Sequence, residues 1–295
     1  PQDGRFREFT QADIDVVGLG ELPFHYEVDL PLVMAEALMS LPIPPVHVLV
    51  NNRKVVQGIC EGLGVDDVES ALRGLDKLDK IGPEGVAEEL AEAGLEQPQI
   101  EVLLRMAQIR TEDSEHLRSE VNALGVSSET LTQGLDELCA LVEQAGAAVP
   151  GVVLADLKIA RGLDYYTGSV YESEIVGHED LGSICSGGRY DSLAKDGKRS
   201  YPGVGLSIGV SRLVSRILSQ DMVTASRKVP TCVVIAVADE EQRQHCNALA
   251  TILRKRGIPT DVAPSAAKFG KQIKFADKRG IPFVWFPGSE GEADT

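Results

Sequence analysis

The stretch Arg161-Gly162-Leu163-Asp164-Tyr165-Tyr166-Thr167-Gly168, running on into Ser169-Val170-Tyr171-Glu172, sets a permanent cation and two phenols between glycines at the start of an expected strand. Arginine presents a planar fork of donors suited to phosphate, and tyrosine a flat apolar body with a polar tip. Glycines on either side let the backbone approach a ligand closely. Taken alone, these residues leave two readings open: an active-site edge, or a strand with edge tyrosines and a solvated arginine. Alternation along a strand over 165–175 puts Tyr165 and Tyr166 on opposite faces.

Three other stretches also set glycine beside arginine. Ser186-Gly187-Gly188-Arg189-Tyr190-Asp191 closes a second strand expected over 183–190, where paired glycines serve a bulge, a turn or a pocket wall. Residues 203–213, Gly203-Val204-Gly205-Leu206-Ser207-Ile208-Gly209-Val210-Ser211-Arg212-Leu213, pass from a glycine-rich strand into a helix. Their G-x-G-x-x-x-G spacing is one residue too long for a dinucleotide fingerprint, which excludes that reading. Residues 4–15 alternate with Phe6, Glu8 and Thr10 on one face and Arg5, Arg7, Phe9, Gln11, Asp13 and Asp15 on the other. That period fits a strand facing a ligand, or an exposed edge strand carrying charges.

The remaining chain gives these stretches a frame. A helix is expected over 26–41, ended by Pro42, Pro44 and Pro45; then a strand over 46–50, a turn at Asn51-Asn52 and a helix over 54–62. Between 64 and 148 the texture changes to amphipathic helices with breaks at Gly82-Pro83, Pro98, Gly125 and Pro150, an insertion into an α/β region that resumes at Val152. Glu88, Glu89, Glu92 and Glu96 give the insertion a solvated face, which lends no support to direct RNA contact. After a polar linker within 219–228, apolar strands at 232–238 and 283–286 alternate with helices, one of them over about 240–256, the pattern of a parallel sheet buried on both faces. The second of these helices displays Lys268, Lys271, Lys274, Lys278 and Arg279, the clearest basic cluster in the chain.

Composition limits what these parts do. With 295 residues, 43% of them hydrophobic, two or three domains are expected. A formal net charge of -16 argues against general nucleic-acid binding, although a structured RNA needs only a local basic surface. The five cysteines, Cys60, Cys139, Cys185, Cys232 and Cys246, are widely spaced with no Cys-x-x-Cys pair, as in a reduced, cytoplasmic protein without structural zinc. No apolar run is long enough to span a membrane. The chain starts at Pro1 and is expected to be a fragment.

The four stretches together resemble the histidyl-tRNA synthetases, a class II family. Residues 4–15 resemble the second half of motif 2, 161–172 and 186–191 the two histidine-pocket elements, and 203–213 motif 3, all in the family's order. The resemblance implies an α/β (α+β) fold: a class II antiparallel-sheet catalytic domain with a helical insertion, then a parallel or mixed-sheet anticodon-binding domain. Its parts are expected at 1–64 and 150–222 (catalytic), 65–149 (insertion), 223–228 (linker) and 229–295 (anticodon binding, truncated). It implies ATP-dependent activation of L-histidine and its transfer to tRNA(His) by a homodimer, with Mg2+ on the outer phosphates through ligands not assigned. By resemblance, Arg5 sits near the outer phosphates, Phe9 and Arg212 sandwich the adenine, and Arg161 neutralises the α-phosphate. Gln11, Asp15, Tyr165, Tyr166, Gly187 and Tyr190 form the histidine pocket, and Lys268 and Lys271 meet tRNA. The family has Glu where this chain has Asp15. A non-catalytic relative, the regulatory subunit of ATP phosphoribosyltransferase, is the alternative; the carboxy-terminal domain and the presence of Arg5, Arg161 and Arg212 oppose it. Part of the family's substrate clamp precedes the segment matching Pro1, so residues 1–295 alone are expected to be inactive.

Overall fold

The computed structural model describes residues 7–160 and 165–288. The chain divides into two compact units, Pro1–Val223 and Thr224–Thr295. The first begins with β1 (Ala12–Val17), α1 (His25–Met39), β2 (Val46–Asn52) and α2 (Arg53–Gly62). It continues with α3 (Val68–Leu75), α4 (Leu78–Glu92), α5 (Gln97–Met106), β3 (Arg110–Thr111), α6 (Ser114–Asn122) and α7 (Glu129–Ala148). It closes with β4 (Val153–Asp156), β5 (Ser169–Ile175), β6 (Cys185–Tyr190), a small hairpin of β7 (Lys195–Asp196) and β8 (Arg199–Ser200), β9 (Gly203–Ile208) and α8 (Val210–Ser219).

Seven strands form one sheet in the order β1-β9-β6-β5-β2-β4-β3. All neighbours are antiparallel except β2 and β4, which are parallel and bracket the excursion from α2 to α7. Burial follows position: central β2 is almost wholly buried, whereas β1, at the end of the described sheet, is exposed along most of its length. Helix α1 covers one face, burying Val28, Leu30, Met34, Ala35 and Leu38, and Tyr171 on β5 donates its hydroxyl to the Glu27 carbonyl at 2.9 Å. Helix α7 packs on α2 so tightly that a Cβ on Gly58 would lie 2.5 Å from Leu131 Cα, and one on Gly134 would lie 2.6 Å from Val55 N. Both crossings demand glycine.

Several boundaries differ from the sequence reading. Asn51 and Asn52 end β2 and are buried rather than forming an exposed turn. Their amides are the reason: Asn51 Nδ2 donates to the Ile159 carbonyl at 2.9 Å, while Asn52 accepts from Lys54 N at 2.9 Å and so caps α2. β5 begins at Ser169 instead of 165, and β1 at Ala12. Within the excursion the expected break at Gly82-Pro83 is a kink, with Gly82 at φ 72°. The segment also contains β3, paired to β4 at Arg110–Asp156, so the excursion adds a short strand to the sheet.

The second unit holds β10 (Val233–Ile235), α9 (Arg243–Lys255), β11 (Thr260–Val262), α10 (Phe269–Arg279) and β12 (Phe283–Trp285), with parallel strands in the order β11-β10-β12. Val234, Ile235, Val237, Cys246, Ala250, Ala263, Ala276 and Ile281 make its core. β10 is shorter than the apolar run because Gln272, buried on α10, takes over its pairing: the side chain accepts from Val237 N at 3.0 Å and donates to Val237 O at 2.8 Å.

Candidate active site

The face of the large sheet opposite α1 carries rows of paired residues, since residues opposite one another on neighbouring strands share a face. One row is Asp13–Ser207–Ser186–Glu172, the next Asp15–Gly205–Gly188–Val170, and a third Val17–Gly203–Tyr190. The middle row makes room. A Cβ on Gly205 would lie 2.6 Å from Asp15 Cγ, and one on Gly188 would lie 2.8 Å from the Tyr166 ring. The third row gives Tyr190 its seat over Gly203, from which its hydroxyl donates to Asp15 Oδ1 at 2.8 Å.

These rows floor a cavity of about 230 Å³ lined by Asp15, Tyr165, Tyr166, Gly187, Tyr190 and their neighbours Ser186 and Ser207. Tyr165 and Tyr166 precede the strand, so alternation does not separate them as expected; their ring centroids lie 4.1 Å apart and both line the cavity. Burial, then the Tyr165 hydroxyl, pushes Tyr166 well above the ordinary tyrosine range. Burial and the Asp15 carboxylate push Tyr190 up to about 12. Both phenols are therefore neutral hydrogen-bonding groups at physiological pH.

A second cavity, of about 300 Å³, is lined by Phe9, Thr10, Gln11, Gly209, Ser211 and Arg212, and shares Ser186 and Ser207 with the first. Its walls are fastened across the sheet. Thr10 N donates to Ser211 Oγ at 2.8 Å, Ser211 N returns a bond to the Thr10 carbonyl at 3.2 Å, and Gln11 Nε2 donates to Ser207 Oγ at 2.6 Å. Phe9 is 58% exposed, an apolar ring standing open beside the cavity. The Arg212 guanidinium donates its edge to the carbonyls of Ser183, at 2.8 Å, and Leu181. Phe9 and this cation line the same cavity.

The structure thus brings Phe9, Gln11 and Arg212 to one cavity and Asp15, Tyr165, Tyr166, Gly187 and Tyr190 to the adjoining one. Arg5 and Arg161 lie outside the described residues. Lys268 and Lys271 lie in the second unit, exposed at the start of α10. Among the described residues, no three His, Cys, Asp or Glu side chains gather as a metal site. No helix among them is long and apolar enough to cross a membrane. Sequence reasoning missed the two shared serines, Ser186 and Ser207. The strand register that pairs them is the signal that finds them.

Comparison with known proteins identifies relatives of this arrangement. A family model described as histidyl-tRNA synthetase matches residues 1–213, and one described as anticodon binding domain matches residues 231–294. The histidine–tRNA ligase of Bifidobacterium animalis subsp. lactis is 55% identical over 307 residues, covering 100% of this chain and 66% of the relative. That of Micrococcus luteus is 56% identical, covering 98% and 63%. The chain thus spans just under two thirds of the length of these curated relatives. Among solved structures, histidyl-tRNA synthetase from Nostoc sp. PCC 7120 superposes with a TM-score of 0.82 at 34% identity, over 97% of this chain and 68% of that one. An ATP phosphoribosyltransferase regulatory subunit/histidyl-tRNA synthetase from Bacillus halodurans C shares the fold at TM-score 0.69 and 19% identity, over 98% of this chain and 71% of that one.

Proposed function

Because the chain belongs to the histidyl-tRNA synthetase family, we propose that its protein activates L-histidine with ATP and transfers it to the 3′ end of tRNA(His). In the first step the histidine carboxylate attacks the α-phosphate, forming histidyl-adenylate and expelling pyrophosphate. In the second, a terminal ribose hydroxyl of tRNA attacks the acyl carbon and releases AMP. Neither step needs a protein nucleophile, so catalysis is alignment with charge stabilisation at phosphorus.

The observation that carries this reading is the pair of adjoining cavities sharing Ser186 and Ser207. Histidine takes the smaller cavity. Tyr166 and Tyr190 hydrogen-bond the imidazole, Tyr165 and Gly187 shape the wall, and Gln11 and Asp15 hold the amino-acid end. Adenine takes the other, between Phe9 and Arg212, so that carboxylate and α-phosphate meet over the shared serines. Arg161 neutralises the phosphorus centre and Arg5 the outer phosphates. Lys268 and Lys271 contact tRNA phosphates, and the protein works as a cytoplasmic homodimer. The catalytic parts are 1–64 and 150–222, with the insertion at 65–149, the linker at 223–228 and tRNA binding in 229–295.

The test is amino-acid-dependent exchange of pyrophosphate into ATP by the full-length protein. Histidine is expected to drive it and the other amino acids are not. Exchange driven by another amino acid, or none with histidine, overturns the reading.

A further inference from the structure

Behind the smaller cavity, on the opposite face of the sheet, lies a charged cluster to which none of the roles above gives a part. Arg189 neighbours Tyr190 on β6, so its side chain leaves the other face, toward α1. There Nη1 donates to Glu27 Oε1 at 2.6 Å and to the Leu22 carbonyl at 3.1 Å, while Nε and Nη2 reach Asp191 Oδ1 at 3.2 and 3.1 Å. Glu27 is 2% exposed. A carboxylate so deeply buried is costly unless paired, and the guanidinium fork supplies the pair.

The same cluster holds the chain that carries the cavity's tyrosines. Thr167 N donates to the Arg189 carbonyl at 2.8 Å, Thr167 Oγ1 donates to the Asp191 carboxylate, and Ser169 N donates to Glu27 Oε2 at 3.1 Å. The Gly168 carbonyl between them accepts from Arg53 N at 2.9 Å. Gly168 itself is pressed on the ion pair: a Cβ there would lie 2.9 Å from both Arg189 Cδ and Glu27 Oε2. Four consecutive bonds over three residues thus fix the backbone that follows directly on Tyr165 and Tyr166. Burial opposes ionisation of Asp191, but the bonds from Thr167 and Arg189 outweigh it and hold its carboxyl below the usual range.

We propose that Arg189, seated on the buried carboxylate of Glu27, is a positioning residue for the amino-acid cavity: it fixes the tyrosine-bearing segment from beneath, although neither Arg189 nor Glu27 lines the cavity. The proposal rests on the reading of that cavity as the histidine site. Its specific content is that amino-acid recognition and ATP recognition separate. The cluster touches the segment beside the smaller cavity, whereas the wall carrying Phe9 is held through Thr10 by Ser211, and Arg212 by the carbonyls of residues 181 and 183.

The experiment compares wild type, Arg189→Lys, Glu27→Gln and Thr167→Val in the full-length protein by pyrophosphate exchange. Lysine keeps the charge but cannot reach Glu27, Asp191 and Leu22 together. Glutamine keeps an acceptor for Ser169 N. Each is expected to raise the KM for histidine about tenfold, with the KM for ATP changed less than about twofold. Thr167→Val removes a single bond of the segment, leaves the buried pair intact, and keeps the proposal testable if the other two fail to fold. It is expected to raise the histidine KM by a few-fold in the same direction. Wild type with no histidine-dependent exchange overturns the functional reading and this inference with it. Normal wild-type exchange, with the histidine KM unchanged in the folded variants or both KM values moving together, overturns the inference alone.

Discussion

Replacing Tyr190 by Phe removes one hydroxyl and leaves its ring seated over Gly203. The lost bond is the 2.8 Å donation to Asp15 Oδ1. Hydrogen bonds to charged groups contribute about 1.5–3 kcal/mol where water cannot replace them. Asp15 is exposed, so in the empty protein water recovers most of that amount and the stability loss is expected to stay below about 1 kcal/mol. Bound histidine excludes that water, and the cost then falls on affinity: about 1–2 kcal/mol, or roughly five- to thirty-fold in the KM for histidine. The assay is pyrophosphate exchange at varied histidine, beside thermal unfolding of the same preparation. A pH series adds a second measure. The folded Tyr190 titrates near about 12, above the ordinary tyrosine value of about 10, so its contribution to stability is full below pH 10 and is lost as pH rises through 12. Phe has no such titration, and the stability difference between the two proteins should therefore change between about pH 10 and 12. An unchanged histidine KM would remove Tyr190 from the amino-acid cavity.

Arg161→Ala should lower the rate of adenylate formation far more than it weakens histidine binding, because its charge is needed most when phosphorus is pentacovalent; normal turnover with only a raised KM would sink that role. Neutralising Lys268 and Lys271 together should weaken tRNA binding and reduce the salt slope by about one to two, leaving adenylate formation intact; identical binding at several salt concentrations would make them a solvated face. Gly205→Ala drives a methyl to 2.6 Å from Asp15 Cγ and 2.8 Å from the Ile14 carbonyl. Overpacking of this kind costs about 1–3 kcal/mol, and a variant with normal melting temperature and normal histidine KM would contradict the described register.

The residues that line the two cavities were legible where chemistry and local pattern coincide. Tyr166, Tyr190 and Gly187 stand in stretches that mix glycine, phenol and cation, Arg212 stands where a glycine-rich strand turns into a helix, and each lines one of the two cavities. What remained hidden depended on partners distant in the chain. The strand expected across 5–15 starts only at Ala12, because residues 10 and 11 are held by Ser211 and Ser207 rather than by a local ladder. Alternation misjudged Tyr165 for a similar reason: β5 begins only at Ser169, and residues 167 and 168 before it are held by single bonds to Arg189, Asp191 and Arg53 rather than by a continuous ladder. Glu27 gave no signal at all. A single carboxylate in the first turn of a helix reads as a solvated group that suits the helix dipole, and only the fold brings the guanidinium that lets it be buried. Asn51 and Asn52 misled in the opposite direction, since paired asparagines usually mark a turn and here serve as buried partners for backbone groups.

The position of β1 has a consequence for how the protein is made. Among the described strands its one neighbour is β9, and the side chains joined across that seam, Gln11 and Ser207, stand 196 positions apart. At roughly 5–20 residues per second, a ribosome needs about 10–40 s to travel from one to the other. For that interval β1 is without its partner β9, and Ile14 and Val17, still partly exposed in the finished fold, wait for the strand that covers them on that side. The central strands can assemble meanwhile, because β5 and β6 are close in sequence and join by a short connection. Both cavities thus close only once β9 has been made, because residues at 205–209 line them, and a chain halted before residue 203 would lack that shared wall.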